Sequence, residues 1–230
     1  MIVGNGRTAV PSGTRTRSRA GRRAGPAAIA TLWLGVTVAV AGVAFADRVP
    51  VPAPATAVAT FAGGCFWSME PPFDALDGVL ATTPGYMGGT RRDPTYEEVA
   101  AGGTGHAEVV QVRYDPARVT YDRLLDVYWR NVDPTARGRQ FCDVGSQYRT
   151  TIFVHTEAQR TAAEASRARL AAARPFRGDV VTPIVAAGEF WPAEEIHQDY
   201  YLRHPVAYAS YRNGCGRDER LQALWGAAAK

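Results

Sequence analysis

Apolar and polar positions along the chain change period several times, and each change marks an element. "AVATFA" (57–62) is an almost continuous apolar run ending at Gly63-Gly64, which reads as a short buried strand. "CFWSMEPPFDAL" (65–76) reads as a helix opened by Cys65, and Pro71-Pro72 predicts that its first turn breaks early. "GVLATTPGYMGG" (78–89) predicts a strand ending in a turn, and "HAEVVQVRYDP" (106–116) alternates as a strand does. In "VTYDRLLDVYWRNVDP" (119–134) the apolar residues Leu124, Leu125, Tyr128 and Trp129 fall at helical spacing and stop before Asp133-Pro134. "YRTTIFVH" (148–155) predicts a strand, and "TEAQRTAAEASRARLAAARP" (156–175) a helix between a Thr cap and Pro175. "VVTPIVAAGEFWP" (180–192) reads as one more strand, followed by an irregular tail with one helical piece around 193–203.

Strands and helices thus alternate without the long regularity of a doubly wound sheet, and the strands near 80–88 and 107–114 are joined without a helix. The fold expected is α+β, a two-layer sandwich with a mixed or antiparallel sheet arranged as a ferredoxin-like plait, with an irregular C-terminal tail. An apolar content of 46% in 230 residues is enough for a core that needs no disulfide staples.

Charge divides the chain. Residues 1–46 hold six arginines and no acid, so of 26 basic and 22 acidic residues the remainder keeps 20 and 22, a net charge of −2. The overall +4 therefore belongs to the N-terminus, and the body carries no basic stripe that could track nucleic-acid phosphates. The arginines precede 23 uncharged residues (24–46) that end in the small-x-small sequence Ala44-Phe45-Ala46. That is the pattern of an export signal, and Arg22-Arg23 leaves room for a twin-arginine version. The rival reading is a retained membrane anchor, since 23 helical residues span about 34 Å. Either reading places the working domain outside the cytoplasm, periplasmic or otherwise exported. The expected organisation is signal or anchor (1–46), Pro/Ala linker (47–57) and one domain (58–230), with a monomer as the default state.

The candidate chemistry lies with three cysteines, Cys65, Cys142 and Cys215, an odd number that leaves at least one thiol free or changing partners. No C-x-x-C pair occurs, so neither a thioredoxin-type motif nor a zinc knuckle is supported. Cys65 sits where a strand feeds a helix, where backbone N–H groups favour a thiolate and two glycines let a substrate approach. The same residue could equally be a small buried side chain in a tight turn. Glu108 lies mid-strand among valines. It faces solvent in one register and a pocket in the other, and in a pocket desolvation keeps it protonated near neutrality. Tyr86, Tyr96 and Tyr148 flank Gly/Pro turns, from which their hydroxyls can reach a cleft or simply pack. The four histidines show no ligand spacing, and a single Glu194-x-x-His197 does not make a metal centre.

"GGCFWSME", "GYMGGTRRDPTYEEVAAGGTGHAEVVQVRYDP", "LLDVYWRNVDPT", "RQFCDVGSQYRTTIF" and "FWPAEEIHQDYY" occur in the order and spacing of one family. Over about 58–216 the sequence resembles the A-type peptide-methionine sulfoxide reductases. The resemblance implies reduction of the S epimer of methionine sulfoxide, free or in oxidised proteins, without a cofactor or metal. It implies Cys65 as the nucleophile, which becomes a sulfenic acid, and Phe66 and Trp67 as the cage for the substrate's S-methyl group. Glu108 would be the proton donor to the sulfoxide oxygen, assisted by Tyr96 and Tyr148, and Asp143 would fix the substrate backbone. Cys215 is the choice of resolving thiol, giving a Cys65–Cys215 disulfide recycled by a thioredoxin-like dithiol, with Cys142 as the competing resolver. Met87, beside the expected cleft, is a second oxidisable position or plain packing. Two other functions stay open: a thiol hydrolase using a Cys65–His106 pair, and an exported binding domain with a vestigial thiol.

Overall fold

A computed structural model describes residues 55–173 and 176–226. The 1–46 segment and most of the 47–57 linker lie outside the described residues.

Eight strands and seven helices follow one another in the order β1 (Ala57–Gly63), α1 (Phe66–Asp74), β2 (Val79–Met87), α2 (Tyr96–Ala101), β3 (Ala107–Tyr114), α3 (Tyr121–Arg130), β4 (Arg139–Gln140), β5 (Asp143–Val144), β6 (Thr150–Val154), α4 (Glu157–Ala173), β7 (Ile184–Ala186), β8 (Phe190–Pro192), α5 (Tyr200–Arg203), α6 (Pro205–Gly214) and α7 (Arg217–Trp225) among the described residues. Six strands form one sheet in the order β7-β6-β1-β3-β2-β8, and β4 with β5 makes a separate two-stranded hairpin. Only the β6–β7 pairing is parallel. The sheet is therefore mixed, as the alternating pattern implied.

The helices cover one face. Phe61 of β1 stacks on Phe73 of α1 and Tyr128 of α3, with ring centroids 5.1 Å apart in both pairs. The Tyr128 hydroxyl donates to the Ala62 carbonyl at 2.9 Å, so the ring is buried without leaving its oxygen unpaired. α4 is held to α3 by the Trp129 indole N–H, which donates to Ser166 Oγ at 2.9 Å. The other face carries a smaller cluster of Ala62, Met87, Ala107, Val109 and Phe153. Within β3, period-two alternation puts Glu108 on the same face as Val110, Val112 and Tyr114, toward the helices and away from Ala107 and Val109.

The segment 180–192 corrects the single strand expected there: it makes β7 and β8, which lie at opposite edges of the sheet. Five strand spacings would separate flat edges by about 24 Å, whereas the four residues from Ala186 to Phe190 reach about 14 Å. The sheet must curl until its edges approach, and Phe190 and Ala187 pack on the small cluster inside that curl. Two further expectations change. Pro71 and Pro72 lie inside α1 without ending it, because the ring's fixed φ suits a helix and only two amide donors are lost. The tail is not irregular, since α5, α6 and α7 fill most of 200–225. Its weak apolar periodicity has a cause: α5 and α6 bury no residue completely and lie over the site rather than in the core. α2 is not among the elements expected, although Thr95 and Glu98 form a reciprocal capping box at its start.

Gly85 marks where β8 presses against β2. A Cβ there would overlap the Trp191 carbonyl and come within 2.6 Å of Phe190 Cζ. Gly85→Ala is expected to cost about 1–3 kcal/mol by prising β8 from the edge, measured by chemical denaturation. An unchanged midpoint would show that β8 gives way freely.

Candidate active site

The strand-to-helix turn at the end of β1 determines the geometry. Gly64 has φ of +90°, and a Cβ on it would lie 2.7 Å from Gln140 Cβ, so only glycine fits both the backbone and the space. Cys65 follows as the N-cap of α1 and is 7% exposed. The next residue, Phe66, turns its backbone N–H to Glu108, donating to Oε2 at 3.0 Å. Glu108 is 1% exposed, and its carboxyl is pushed up to about 8, first by burial and then by Asp143, against the Phe66 hydrogen bond. It is a carboxylic acid, not a carboxylate, through the neutral range.

The Cys65 thiol is raised well above its ordinary value by burial and then by Glu108, with a Tyr211 hydrogen bond working the other way. The expected preference for a thiolate at the helix N-terminus is thus corrected for this resting state. The Phe66 amide is engaged by Glu108, and burial outweighs the hydrogen bond that the Trp67 backbone N–H gives the sulfur. Asp143, at the start of β5, accepts the Tyr211 hydroxyl at 2.6 Å and a hydrogen bond from the Cys65 backbone N–H. Burial and the nearby acids push Tyr96 up to about 12. Tyr148 is raised as well, and both tyrosines share the field of Glu108 and Cys65. Their hydroxyls remain proton-bearing donors near neutrality. All of the residues nominated around Cys65 and Glu108 are brought together except Cys215, whose sulfur is bonded elsewhere.

Phe66 and Trp67 do form an aromatic surface, and it is larger than the sequence showed. Trp67 stacks on Tyr200 at 3.8 Å and meets Tyr211 edge-on at 5.8 Å. Its indole N–H donates to His197 Nδ1 at 3.2 Å, and the His197 ring also lies 4.3 Å from Tyr96 and 5.4 Å from Phe66. Glu194 accepts the Tyr86 hydroxyl at 2.9 Å and the Tyr96 backbone N–H at 2.7 Å. The Glu194-x-x-His197 pattern therefore serves the cage, the histidine through Trp67 and the glutamate through two tyrosines. That spacing was the one available signal for these residues. Tyr200 and Tyr211 carried none, because only the packing of α5 and α6 brings them over Trp67.

His106 is not a base for Cys65. Its Nδ1 accepts the Gly89 N–H at 3.1 Å and its Nε2–H donates to the Arg91 carbonyl at 2.7 Å, so both nitrogens are occupied by backbone. Met87 is fully buried in the small cluster, which leaves it as packing. Cys142 and Cys215 form a disulfide, and Cys65 is the one free cysteine. The expected Cys65–Cys215 bridge is therefore not the pairing present. The β4–β5 hairpin carries Cys142 outward to the end of α6, where its N–H lies 3.2 Å from Cys215 Sγ, while Cys65 stays buried below Tyr211.

Comparison with known proteins agrees with this chemistry. The family model for peptide methionine sulfoxide reductase matches residues 57–229. The chain is 50% identical to the peptide methionine sulfoxide reductase MsrA of Bacillus licheniformis, over 74% of this chain and 93% of that one. It is 48% identical to MsrA 2 of Rhizobium meliloti, over 73% of this chain and 83% of the relative. Among solved structures, reduced Mxr1 of Saccharomyces cerevisiae has a TM-score of 0.62 at 31% identity, covering 66% of this chain and 87% of that one. Methionine sulfoxide reductase A of Corynebacterium diphtheriae has a TM-score of 0.59 at 35% identity, covering 67% and 78%. A buried thiol, a protonated carboxyl and an aromatic cage on this fold define an oxidoreductase that acts on sulfur. The chain belongs to the peptide methionine sulfoxide reductase family, A type.

The Glu108 carboxyl also has a consequence for stability. Between about pH 4.5 and 8 the folded chain keeps a proton that the unfolded chain has released, so this group makes stability fall as pH rises through that window. Glu70, likewise raised to about 8, acts in the same direction. Glu108→Gln is expected to flatten part of the decline between pH 5 and 9 in equilibrium unfolding. A slope identical to that of the native chain would mean that Glu108 ionises normally in the fold.

Proposed function

We propose that the chain reduces the S epimer of methionine sulfoxide, free or in oxidised proteins, at Cys65. The observation that carries this reading is the fully buried Glu108 carboxyl, held protonated beside the only free thiol and beneath the aromatic cage. A sulfoxide oxygen leaves readily only when protonated, and a neutral carboxylic acid supplies that proton while a cysteine sulfur attacks. The S-methyl group rests against Phe66 and Trp67. Tyr96 and Tyr148 donate hydrogen bonds to the oxygen, and Asp143 orients the substrate backbone. Glu108 protonates the oxygen as the Cys65 sulfur attacks the sulfoxide sulfur, the thiol proton replaces the one Glu108 gave up, and the S–O bond breaks as the hydroxyl passes to Cys65 and methionine departs. The chain is left with Cys65 sulfenic acid and no other change in its atoms.

Cys215 then condenses with the sulfenic acid, losing water and forming a Cys65–Cys215 disulfide. The Cys142–Cys215 bond supports a second exchange, in which the Cys142 thiolate takes Cys215 and returns Cys65 as a thiol. A thioredoxin-like dithiol reduces the remaining disulfide, and no metal or cofactor enters. The reading extends to an exported protein, supported by the arginine-rich, apolar pattern of residues 1–46, with retention as an anchor the alternative to cleavage after Ala46. The strand order β6-β1-β3-β2 with α1 and α3 between strands supports a ferredoxin-like plait within the larger sheet.

The test offers the reduced domain separate S and R epimers of a blocked methionine sulfoxide with dithiothreitol, and measures the methionine formed. Turnover of the S epimer alone is expected. Cys65→Ser is expected to abolish it, and Glu108→Gln to lower it by about 10²–10⁴ with little change in KM. Equal turnover of both epimers, or full activity in Cys65→Ser, would overturn the reading.

A further inference from the structure

Arg217 opens α7, two residues after Cys215, and is 1% exposed. Its Nη2 donates to the Asn131 carbonyl at 2.6 Å, to Met69 Sδ at 3.0 Å and to the Gly63 carbonyl at 3.3 Å. Its Nε and Nη1 are buried with no hydrogen-bond partner, and no carboxylate forms an ion pair with it among the described residues. The guanidinium lies over the Phe141 ring, 4.4 Å from its centroid. A Cβ on Gly64 would be 3.6 Å from Nη1, which places the charge directly beneath the Gly63-Gly64-Cys65 turn.

A buried charge without a counter-ion is costly, and hydrophobic packing would serve a core better. A resident arginine there therefore calls for an anion that forms at that spot. We infer that Arg217 is a positioning residue for the nucleophile: its positive charge, held in no ion pair, favours the anionic form of Cys65 that attacks, and it pins the Cys215 segment against that turn. This rests on the reading of Cys65 as the nucleophile.

Hydrogen bonds from the Tyr211 hydroxyl and the Trp67 backbone N–H also favour the anion, but neither brings a positive charge. Cys65 faces Glu108 from β3, Asp143 from β5, Tyr96 from α2, Tyr148 from the turn before β6 and Tyr211 from α6. Each of these is an acid or a phenol, so Arg217 supplies the positive charge. It also draws on Asp143, whose carboxyl it holds down against the upward push of burial. Arg212, Tyr208 and Tyr211 of α6 face the guanidinium, and burial lowers it only to about 10, so it stays charged where the enzyme works.

With the Cys142–Cys215 disulfide in place Cys65 is the sole alkylatable thiol, so its titration reads directly in the native chain. The experiment follows iodoacetamide alkylation and thiolate absorbance of Cys65 against pH in the native chain, Arg217→Gln and Arg217→Lys. Glutamine removes the charge and keeps a polar amide on a shorter stem, whereas lysine keeps the charge with fewer bonds. The expected result is a Cys65 midpoint about one pH unit higher in Arg217→Gln, with alkylation about tenfold slower below it. Arg217→Lys should titrate close to the native chain even if it unfolds more easily. A native midpoint in Arg217→Gln, or equal shifts in both variants, would overturn the assignment. Neither readout uses sulfoxide, so sulfoxide turnover by Cys65→Ser would refute the nucleophile assignment separately.

Discussion

The hydrogen bond from the Phe66 amide to Glu108 joins two things that the sequence keeps 42 residues apart, the first turn of α1 and the start of β3. Through it the carboxyl that holds the proton and the helix that presents the thiol have a fixed relative position. The bond also takes up one of the free amides at the helix start, which otherwise would stabilise a thiolate. In the resting site both partners are neutral: the acid because it is buried, the thiol because it is buried beside that acid. A pair in this state waits for a substrate whose oxygen can accept one proton and whose sulfur can accept the other group's electrons.

The rest of the fold maintains that relationship. Gly64 lets β1 turn into α1 with no side chain between the turn and Gln140. The curl of the sheet brings β8 alongside β2, so that the following Glu194 can hold both Tyr86 and Tyr96. The C-terminal helices lay Tyr200 and Tyr211 against Trp67 and place Arg217 beneath the turn. The Cys142–Cys215 disulfide ties the segment bearing Asp143 to the end of the helix bearing Tyr211, the two residues that share a 2.6 Å hydrogen bond. Redox state and the arrangement over Cys65 are therefore coupled by only one residue on the first side and four on the second.

Most of the sheet could be read from period alone, because β1, β3 and β6 pack against neighbours with strongly apolar faces. The break between β7 and β8 could not, since a curl is a property of the whole sheet and three-residue edge strands leave no period to measure. At the site, Cys65, Phe66 and Trp67 announced themselves by their odd company, whereas Glu108 was ambiguous until register chose its face. Tyr200, Tyr211, His197 and Arg217 reach the site from the tail, where local pattern is weak and long-range packing decides. The cysteine pairing was open for the same reason: three thiols allow three bridges, and only the position of the β4–β5 hairpin selects one.

The chemistry depends on Glu108 being a carboxylic acid at neutral pH in the folded chain. Its most direct test is the infrared carboxyl C=O band, followed against pH as a difference between the native chain and Glu108→Gln. The expected result is a protonated band that is present at pH 6, absent from the variant, and lost with a midpoint near 8. A Glu108 already ionised at pH 6, with the fold intact, would contradict it.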